Sequence, residues 1–231
     1  MEERKLVQLK KEEYSIKEYI KGSLGKGKIS RVKIKYTPVG EKIIVSTNKP
    51  GLIIGKRGEK IEELTKYLKD KFKLENPHIE IEEIIEPDFD AQLIADEIAL
   101  NLERLGPLKF KVVAYKVLQR VMNTGALGIE IILSGKLPSD RAKQWRFSQG
   151  YLKKVGDSAK VVEKAQAIAQ TKPGTVGVKV GILPPYAKIH DKITINEDLL
   201  NKLRTNSVKI EVNEIKEKKL KKKIKVEEKT E

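Results

Sequence analysis

Residues 50–59 read PGLIIGKRGE, and they place a G-x-x-G turn, Gly55 to Gly58, around the two cations Lys56 and Arg57. Because glycine has no Cβ, the backbone at both glycines can take positive φ angles and approach a ligand closely. Beyond the turn, apolar residues recur at the three- to four-residue spacing of a helix: Ile61, Leu64, Leu68 and Phe72. The turn therefore lies where a helix presents free N–H groups and the positive end of its dipole. Two cations and open amides at that place favour an anion, most simply a phosphate.

The elements around this turn follow the order of a KH module. Apolar periodicity predicts a helix over residues 11–24, strands over 31–36 and 42–46, and a third strand over 78–85. Together with the short apolar piece 52–54 and the helix after the turn, they give the order αββααβ. This order resembles a type II KH domain, whose G-x-x-G loop clamps about four nucleotides of single-stranded backbone. The alternative is a turn between two helices that merely carries surface cations.

The charge of the chain points to a polyanionic partner. Its 231 residues carry 48 Lys and Arg against 33 Asp and Glu, a formal net charge of +15. Each phosphate that such a protein neutralises releases a counterion, so binding depends strongly on salt. Because aromatic residues make up only 5% of the chain, phosphate and sugar contacts should dominate over base stacking. There is no cysteine and no apolar run long enough to cross a bilayer, so we expect a soluble intracellular protein without disulfides or a membrane partner.

Two further patterns resemble active sites but predict none. Residues 22–29 nearly spell a nucleotide-binding P-loop, but Ile29 replaces the Ser or Thr that binds magnesium, and the segment follows a helix instead of a strand. An acidic cluster follows the third strand: Glu82, Glu83, Glu86, Asp88 and Asp90. Asp90 is placed to cap a helix that begins at Ala91, and the glutamates fit the solvent face of a strand.

A second domain is predicted after Gly106 and Pro107, which end a helix with one apolar stripe: Ile94, Ile98, Leu102 and Leu105. The next helix, over residues 108–123, carries three cations close to whole turns apart: Lys109, Lys116 and Arg120. These cations line one exposed face. Such a line is either a solvated face or an RNA contact, and the sequence leaves both open.

The remainder predicts a small sheet and a tail. We expect strands over residues 125–135 and 176–183, a short strand over 160–163 and a short helix over 165–171. Over residues 140–151, basic residues interleave with aromatic ones, which fits a nucleic-acid surface unless the tryptophan there belongs to the core. From residue 209 the chain is nearly all Lys, Glu, Val and Ile, so we expect a mobile tail.

Four stretches together resemble the third protein of the small ribosomal subunit in its archaeal form, the universal S3 family. They are residues 49–58 (KPGLIIGKRG), 125–136 (GALGIEIILSGK), 141–150 (RAKQWRFSQG) and 174–183 (GTVGVKVGIL). The resemblance covers nearly the entire chain and implies an α+β fold, with an N-terminal type II KH domain and a C-terminal α/β sheet domain. It also implies a cytoplasmic, structural component of the small-subunit head. Its partners would be small-subunit ribosomal RNA (rRNA), neighbouring head proteins, and messenger RNA (mRNA) where it enters the subunit.

Family members carry basic residues on the helix that matches residues 110–122, where they face mRNA and help to separate its paired regions. Lys111 and Lys116 match this pattern, whereas Val112 and Tyr115 fall where the bacterial pattern has further cations. Lys111 also lies off the line of cations described above. The sequence therefore leaves open which side of the helix faces RNA and whether unwinding is retained.

We predict a KH domain over residues 1–88, a linking helix over 89–106, a ribosomal domain over 107–208 and a disordered tail over 209–231. The candidate RNA-binding residues are Ile54, Gly55, Lys56, Arg57, Gly58, Lys60, Lys109, Lys111, Lys116, Arg120, Lys136, Arg141, Lys143 and Arg146. No catalytic residue, metal site or cofactor is expected. The alternative function is that of a freestanding KH-domain RNA-binding regulator or a ribosome-assembly factor.

Overall fold

The computed structural model describes residues 2–189, with the exception of Val39, Lys73 and Glu75. The predicted tail over 209–231 and the last part of the predicted ribosomal domain, residues 190–208, lie outside the described residues. The described residues form two sheets, and each sheet has helices packed on one face.

The first sheet and its helices have the predicted order αββααβ. The elements are α1 (Glu2–Leu24), β1 (Ile29–Thr37), β2 (Gly40–Thr47), α2 (Pro50–Ile54), α3 (Glu59–Phe72) and β3 (His78–Glu83). β2 is the central strand, antiparallel to β1 and parallel to β3. The predicted KH arrangement is therefore confirmed.

The core of this first domain follows from the apolar periods of its elements. Apolar side chains at helical spacing bury one face of α1 and one face of α3: Ile16, Ile20, Leu24, Leu64 and Leu68. They pack on Ile43 and Val45, which lie two residues apart on β2, share one face of the sheet and are fully buried. Ile53 of α2 is also fully buried in this core, so α2 fixes the start of the G-x-x-G turn against the sheet.

The second sheet has four antiparallel strands in the order β5-β4-β7-β6. The elements are α4 (Ala91–Leu105), α5 (Phe110–Asn123), β4 (Gly128–Gly135), β5 (Lys143–Gly150), β6 (Glu163–Thr171) and β7 (Gly174–Leu183). α4 and α5 share one core with the inward face of the sheet, in which Leu102, Phe110, Ile131 and Val178 are at most 2% exposed. The predicted two-domain α+β fold is thus confirmed.

The predicted linking helix, residues 89–106, is packed as part of the second domain. Asp90 caps α4 as predicted, because its carboxylate accepts hydrogen bonds from the backbone N–H groups of Gln92 at 2.9 Å and Leu93 at 3.3 Å. The buried side chains of α4, including Ile98, belong to the core of the second sheet. We therefore propose that the second domain begins near Phe89.

The prediction of a short strand over 160–163 and a short helix over 165–171 was wrong. A 3-10 turn occupies Asp157–Val161, and residues 165–171 belong to β6, which pairs with β7. Small and longer side chains alternate along this segment, so a strand directs Ala167 and Ala169 into the core, where they are at most 8% exposed. Pairing with a neighbouring strand outweighs the helical propensity of alanine here.

Candidate nucleic-acid interface

The G-x-x-G turn joins α2 to α3 through one turn of 3-10 helix, Lys56–Gly58. Gly55 has a φ of 75° and Gly58 a φ of 86°. Arg57 has a φ of 54°, and among the described residues it alone combines a side chain with a positive φ. An L residue in this conformation costs about 1–2 kcal/mol, and such strain clusters at functional sites. No sequence pattern predicts the conformation of Arg57.

The two cations of the turn are free to meet an anion. Lys56 and Arg57 are exposed, and neither forms an ion pair with a carboxylate in the described part of the chain. The N–H of Glu59, the first residue of α3, donates to the Lys56 carbonyl, so only the N–H groups after it are open at this helix start. Glu59 and Glu62 lie in the first turn of α3 and oppose an anion there. The attraction therefore depends on the two side-chain cations.

Ile54 and Lys60 complete the surface of the turn. Ile54 ends α2 and is 40% exposed, so it offers an apolar contact beside the cations. Lys60 is exposed, and its aliphatic stem lies against the backbone of Gly55, where an added Cβ would be 2.8 Å from the Lys60 Cγ. Residue 55 must therefore be glycine for two reasons: its φ is positive, and the stem of Lys60 occupies the space that a Cβ would need. The six candidates from Ile54 to Lys60 lie on one continuous stretch of surface.

The exposed face of α5 carries the second group of candidates. Lys109, in the 3-10 turn before α5, and Lys111 and Lys116, within it, are all exposed. The Lys111 Nζ lies 4.8 Å from the centroid of the Trp145 ring. Lys111 therefore lies on the side of α5 that faces β5, where it makes a cation–π contact.

Arg120, the last cation of the predicted line, is held by carboxylates. Its Nη1 donates to the Glu97 Oε1 at 2.9 Å, its Nη2 to the other oxygen of Glu97, and its Nε lies 3.2 Å from the Asp88 Oδ1. The hydrogen bond to Glu97, followed by the charges of both acids, raises the pKa of Arg120 above its usual value. The structure therefore places Arg120 in contact with α4, on a different side of α5 from Lys111.

The remaining candidates lie at the edge strand β5 and the connection before it. Lys136, Arg141 and Lys143 are exposed. Arg146 pairs with Glu130, which lies diagonally opposite it on β4, and the same carboxylate lies 3.3 Å from the Lys154 Nζ. Arg146 is thus partly neutralised, whereas the other three present their charge to solvent.

Trp145 packs against the core, which was one of the two alternatives that the sequence left open. Its ring is half-buried, and the centroid lies 5.4 Å from that of Phe110. The indole Nε1 is buried and has no hydrogen-bond partner in the described part of the chain. The ring therefore contributes to packing between α5 and β5, and Lys111 covers it.

An aromatic cluster between α1 and α3 was not predicted. The rings of Tyr19 and Tyr67 are stacked, with centroids 4.2 Å apart and an angle of 5° between their planes. The Lys71 Nζ donates to the Tyr67 hydroxyl at 3.0 Å, and this hydrogen bond lowers the pKa of Tyr67. A tyrosine and a lysine four residues apart on a helix are neighbours, and that spacing was the available signal.

The acidic cluster after β3 has structural partners. Asp88 pairs with Arg120, Glu82 accepts a hydrogen bond from the Ser46 hydroxyl at 2.9 Å, and Asp90 caps α4. Among the described residues of 2–189, no three His, Asp or Glu side chains are grouped as metal ligands would be. In the same range, no helix has the length and hydropathy that a membrane span requires.

Two family models match the two domains. The model described as "KH domain" matches residues 13–89, which includes the G-x-x-G turn. The model described as "Ribosomal protein S3, C-terminal domain" matches residues 98–182, which includes α5 and the second sheet.

Curated relatives extend this similarity across most of the chain. It is 45% identical over 184 residues to the "Small ribosomal subunit protein uS3" of Methanocaldococcus jannaschii, covering 79% of this chain and 88% of the relative. It is 38% identical over 183 residues to the protein of the same name from Methanosphaera stadtmanae, covering 79% and 72%. For the protein of that name from Haloquadratum walsbyi, the identity is 37% over 185 residues, with 80% and 57% covered. The similarity includes both domains and the turn between α2 and α3, and the chain therefore belongs to the family of small ribosomal subunit protein uS3.

Proposed function

We propose that the chain is a structural RNA-binding component of the small ribosomal subunit and works in the cytoplasm, where ribosomes translate. The observation that carries this proposal is the 45% identity, over 79% of the chain, to a relative named as a small-subunit protein. A formal net charge of +15 agrees with a polyanionic partner. Membership in this family also agrees with the prediction that the chain is not an enzyme.

The G-x-x-G turn is the proposed grip on ribosomal RNA. Its two exposed cations and the open amides at the start of α3 would bind successive phosphates, with Ile54 in apolar contact beside them. Such a grip reads the backbone of a strand and not its base sequence. It therefore fits a protein that is positioned by a large folded RNA.

The exposed face of α5 is the proposed contact with mRNA where it enters the subunit. Lys109, Lys111 and Lys116 supply positive charge there, whereas Val112 is 67% and Tyr115 59% exposed. Two uncharged side chains at the centre of this face reduce its attraction for phosphates. We propose that α5 guides mRNA, and that any contribution to strand separation depends on the three lysines.

Neighbouring proteins of the subunit head are the remaining proposed partners. Residues 6–14 of α1 expose four large side chains: Leu6, Val7, Leu9 and Tyr14 are 60%, 55%, 47% and 65% exposed. Apolar groups of this kind are typical of protein contact surfaces.

Co-sedimentation with small subunits tests the proposed function. Labelled full-length chain, added to small subunits that lack their own copy, is expected to sediment with them at moderate salt and to be released as salt is raised. A chain that stays in the supernatant at moderate salt refutes the proposal. Tight, sequence-selective binding to free single-stranded RNA, without binding to subunits, would instead favour the freestanding regulator.

A further inference from the structure

A cavity of about 360 Å³ lies between α1 and α3, beside the G-x-x-G turn. The stacked rings of Tyr19 and Tyr67 form part of its wall, and Tyr67 is 38% exposed. Leu52 of α2 and Leu64 of α3 add apolar surface, and Leu52 is itself 46% exposed. Flat aromatic and apolar walls of this kind favour a flat, apolar-faced ligand.

Lys60 connects this cavity to the phosphate-binding turn. Its side chain lines the cavity and lies against the backbone of Gly55. A strand whose phosphates lie on Lys56 and Arg57 can therefore continue past Lys60 to the mouth of the cavity.

The charges at the cavity also fit a nucleotide. Lys28 and Lys60 line it, and neither forms an ion pair within the described residues, so both can meet a phosphate. Glu63 lies on the same wall, and its carboxylate can accept a hydrogen bond from an exocyclic amino group of a base. An aromatic side chain of a protein partner would stack equally well, but it would leave both ammonium groups without an anion.

We propose that this cavity holds one nucleobase of the RNA strand that the G-x-x-G turn grips, stacked on Tyr67. The proposal rests on the proposed function, because it needs RNA at the turn. Stacking on an aromatic side chain is tolerant of base identity, so the cavity adds affinity without strong sequence preference. One base held in this way also fixes the register of the strand on the turn.

The test compares two ten-nucleotide probes that carry the same phosphates. One is oligo(rA), and the other has an abasic sugar at every position. With the full-length chain, Tyr67→Leu is expected to weaken binding of oligo(rA) at least about fivefold, which is the low end of the stacking contribution of one base. Binding of the abasic probe is expected to stay unchanged, because the phosphate contacts remain.

A second variant keeps the tyrosine stack intact. Ser23 is an exposed residue of α1 that lines the cavity, so Ser23→Leu fills the space and should lower oligo(rA) affinity to a similar extent. Ser15→Leu, the same change at an exposed position two turns earlier on α1, is the control and should leave both affinities unchanged.

Three outcomes are distinguished. If the Tyr67 and Ser23 variants bind both probes as the wild type does, while loss of Lys56 and Arg57 still weakens binding, the base site is refuted and the phosphate grip stands. If the variants weaken both probes equally, the cavity supports the fold and does not hold a base. If the wild type binds neither probe, the proposed RNA contact of the turn fails, and the base site fails with it.

Discussion

The strongest test of the phosphate grip is the salt dependence of RNA binding after Lys56→Gln and Arg57→Gln are combined. Both side chains are exposed, and both lack ion pairs in the described chain, so the change removes two positive charges without breaking an internal contact. A positive φ costs glutamine about as much free energy as it costs arginine, so the backbone strain of the turn should change little when residue 57 is substituted. The variant therefore isolates the electrostatic contribution of the turn.

The expected size follows from counterion release. For single strands, each phosphate contact contributes roughly 0.7 to the slope of log K against log salt, so the loss of two contacts flattens the slope by roughly 1.4. Between about 50 mM and about 200 mM salt, a slope difference of roughly 1.4 makes the affinity ratio of wild type to variant shrink about sevenfold. The variant should bind worse than the wild type at low salt and approach it at high salt.

Fluorescence anisotropy with a labelled single-stranded RNA, titrated at four or more salt concentrations, measures both slopes. The matched control is Lys66→Gln with Lys69→Gln, which removes the same charge from exposed positions of α3. Lys66 is eight residues beyond Gly58, or about 12 Å along the helix, so phosphates held at the turn lie outside its reach. Equal slopes for the loop variant and the wild type, or equal flattening in the control, would show that the turn does not bind phosphate.

Three further measurements probe the surroundings of the site. Gly55→Ala should lower the free energy of unfolding by about 1–3 kcal/mol in urea denaturation, because residue 55 has a φ of 75° and an added Cβ would press on the stem of Lys60. Gly58→Ala should cost less, because a Cβ there meets nothing within 4 Å, and a larger loss than at Gly55 would contradict this ranking. Arg120→Ala should lower stability by less than about 1 kcal/mol, because Arg120 and Glu97 are about 40% exposed, and it should leave the salt slope of RNA binding unchanged. Lys116→Ala should instead lower the slope by roughly 0.7, and a slope change at Arg120 would show that the arginine leaves its carboxylates for RNA. Burial raises the pKa of Asp96, so the folded chain holds this proton more tightly than the unfolded chain does. The stability of the wild type relative to Asp96→Asn should therefore be greatest below the ordinary carboxyl pKa and decline as pH rises through the raised one. Urea denaturation at a series of pH values measures this difference, and a rise with pH would contradict the assigned direction.

Much of the first domain could be predicted because its elements have clear periods. The alternation Val32, Ile34 in β1 and the helical spacing of Leu64 and Leu68 each identify one element, and the two glycines mark the turn between helices. The second sheet was harder, because residues 165–171 contain three small alanines that alternate with two glutamines and an isoleucine, which is a weak hydrophobic signal.

The candidate site was predicted only in part. Whether a cation is available to RNA depends on the side chains that contact it, and the periodicity of the sequence does not show those contacts. A helical wheel places Arg120 in line with Lys116, but it does not show Glu97 on the neighbouring helix, which takes up the arginine's charge. The stacking of Tyr19 on Tyr67 likewise joins residues 48 positions apart, so no local pattern could predict it. Contacts between distant segments decide which cations remain available to RNA.

The two domains that carry the proposed RNA surfaces are joined by contacts of the segment between α1 and β1. The Lys26 Nζ donates to the Glu103 carboxylate at 3.2 Å and to the Ile168 carbonyl at 3.0 Å, which ties this segment to α4 and β6. The backbone N–H of Gly27 donates to the Asp96 Oδ2 at 3.0 Å, and Asp96 is only 8% exposed. Every one of these bonds runs from the first domain to the second.

Polar links of this kind fix one domain against the other, because breaking the hydrogen bond of a buried carboxylate leaves an unpaired charge. The Ser30 hydroxyl bonds the Asp90 carboxylate, and Arg31 lies 3.7 Å from Glu163, so the start of β1, directly after this segment, is also held to the second domain. The phosphate-binding turn is attached to the first core through Ile53, and α5 to the second core through Phe110. A strand bound at the turn and a strand bound at α5 are therefore held at a fixed separation. Of the acidic cluster that resembles an active site in the sequence, Asp90 contributes to this attachment, because its carboxylate accepts a hydrogen bond from Ser30 of the first domain while it caps α4.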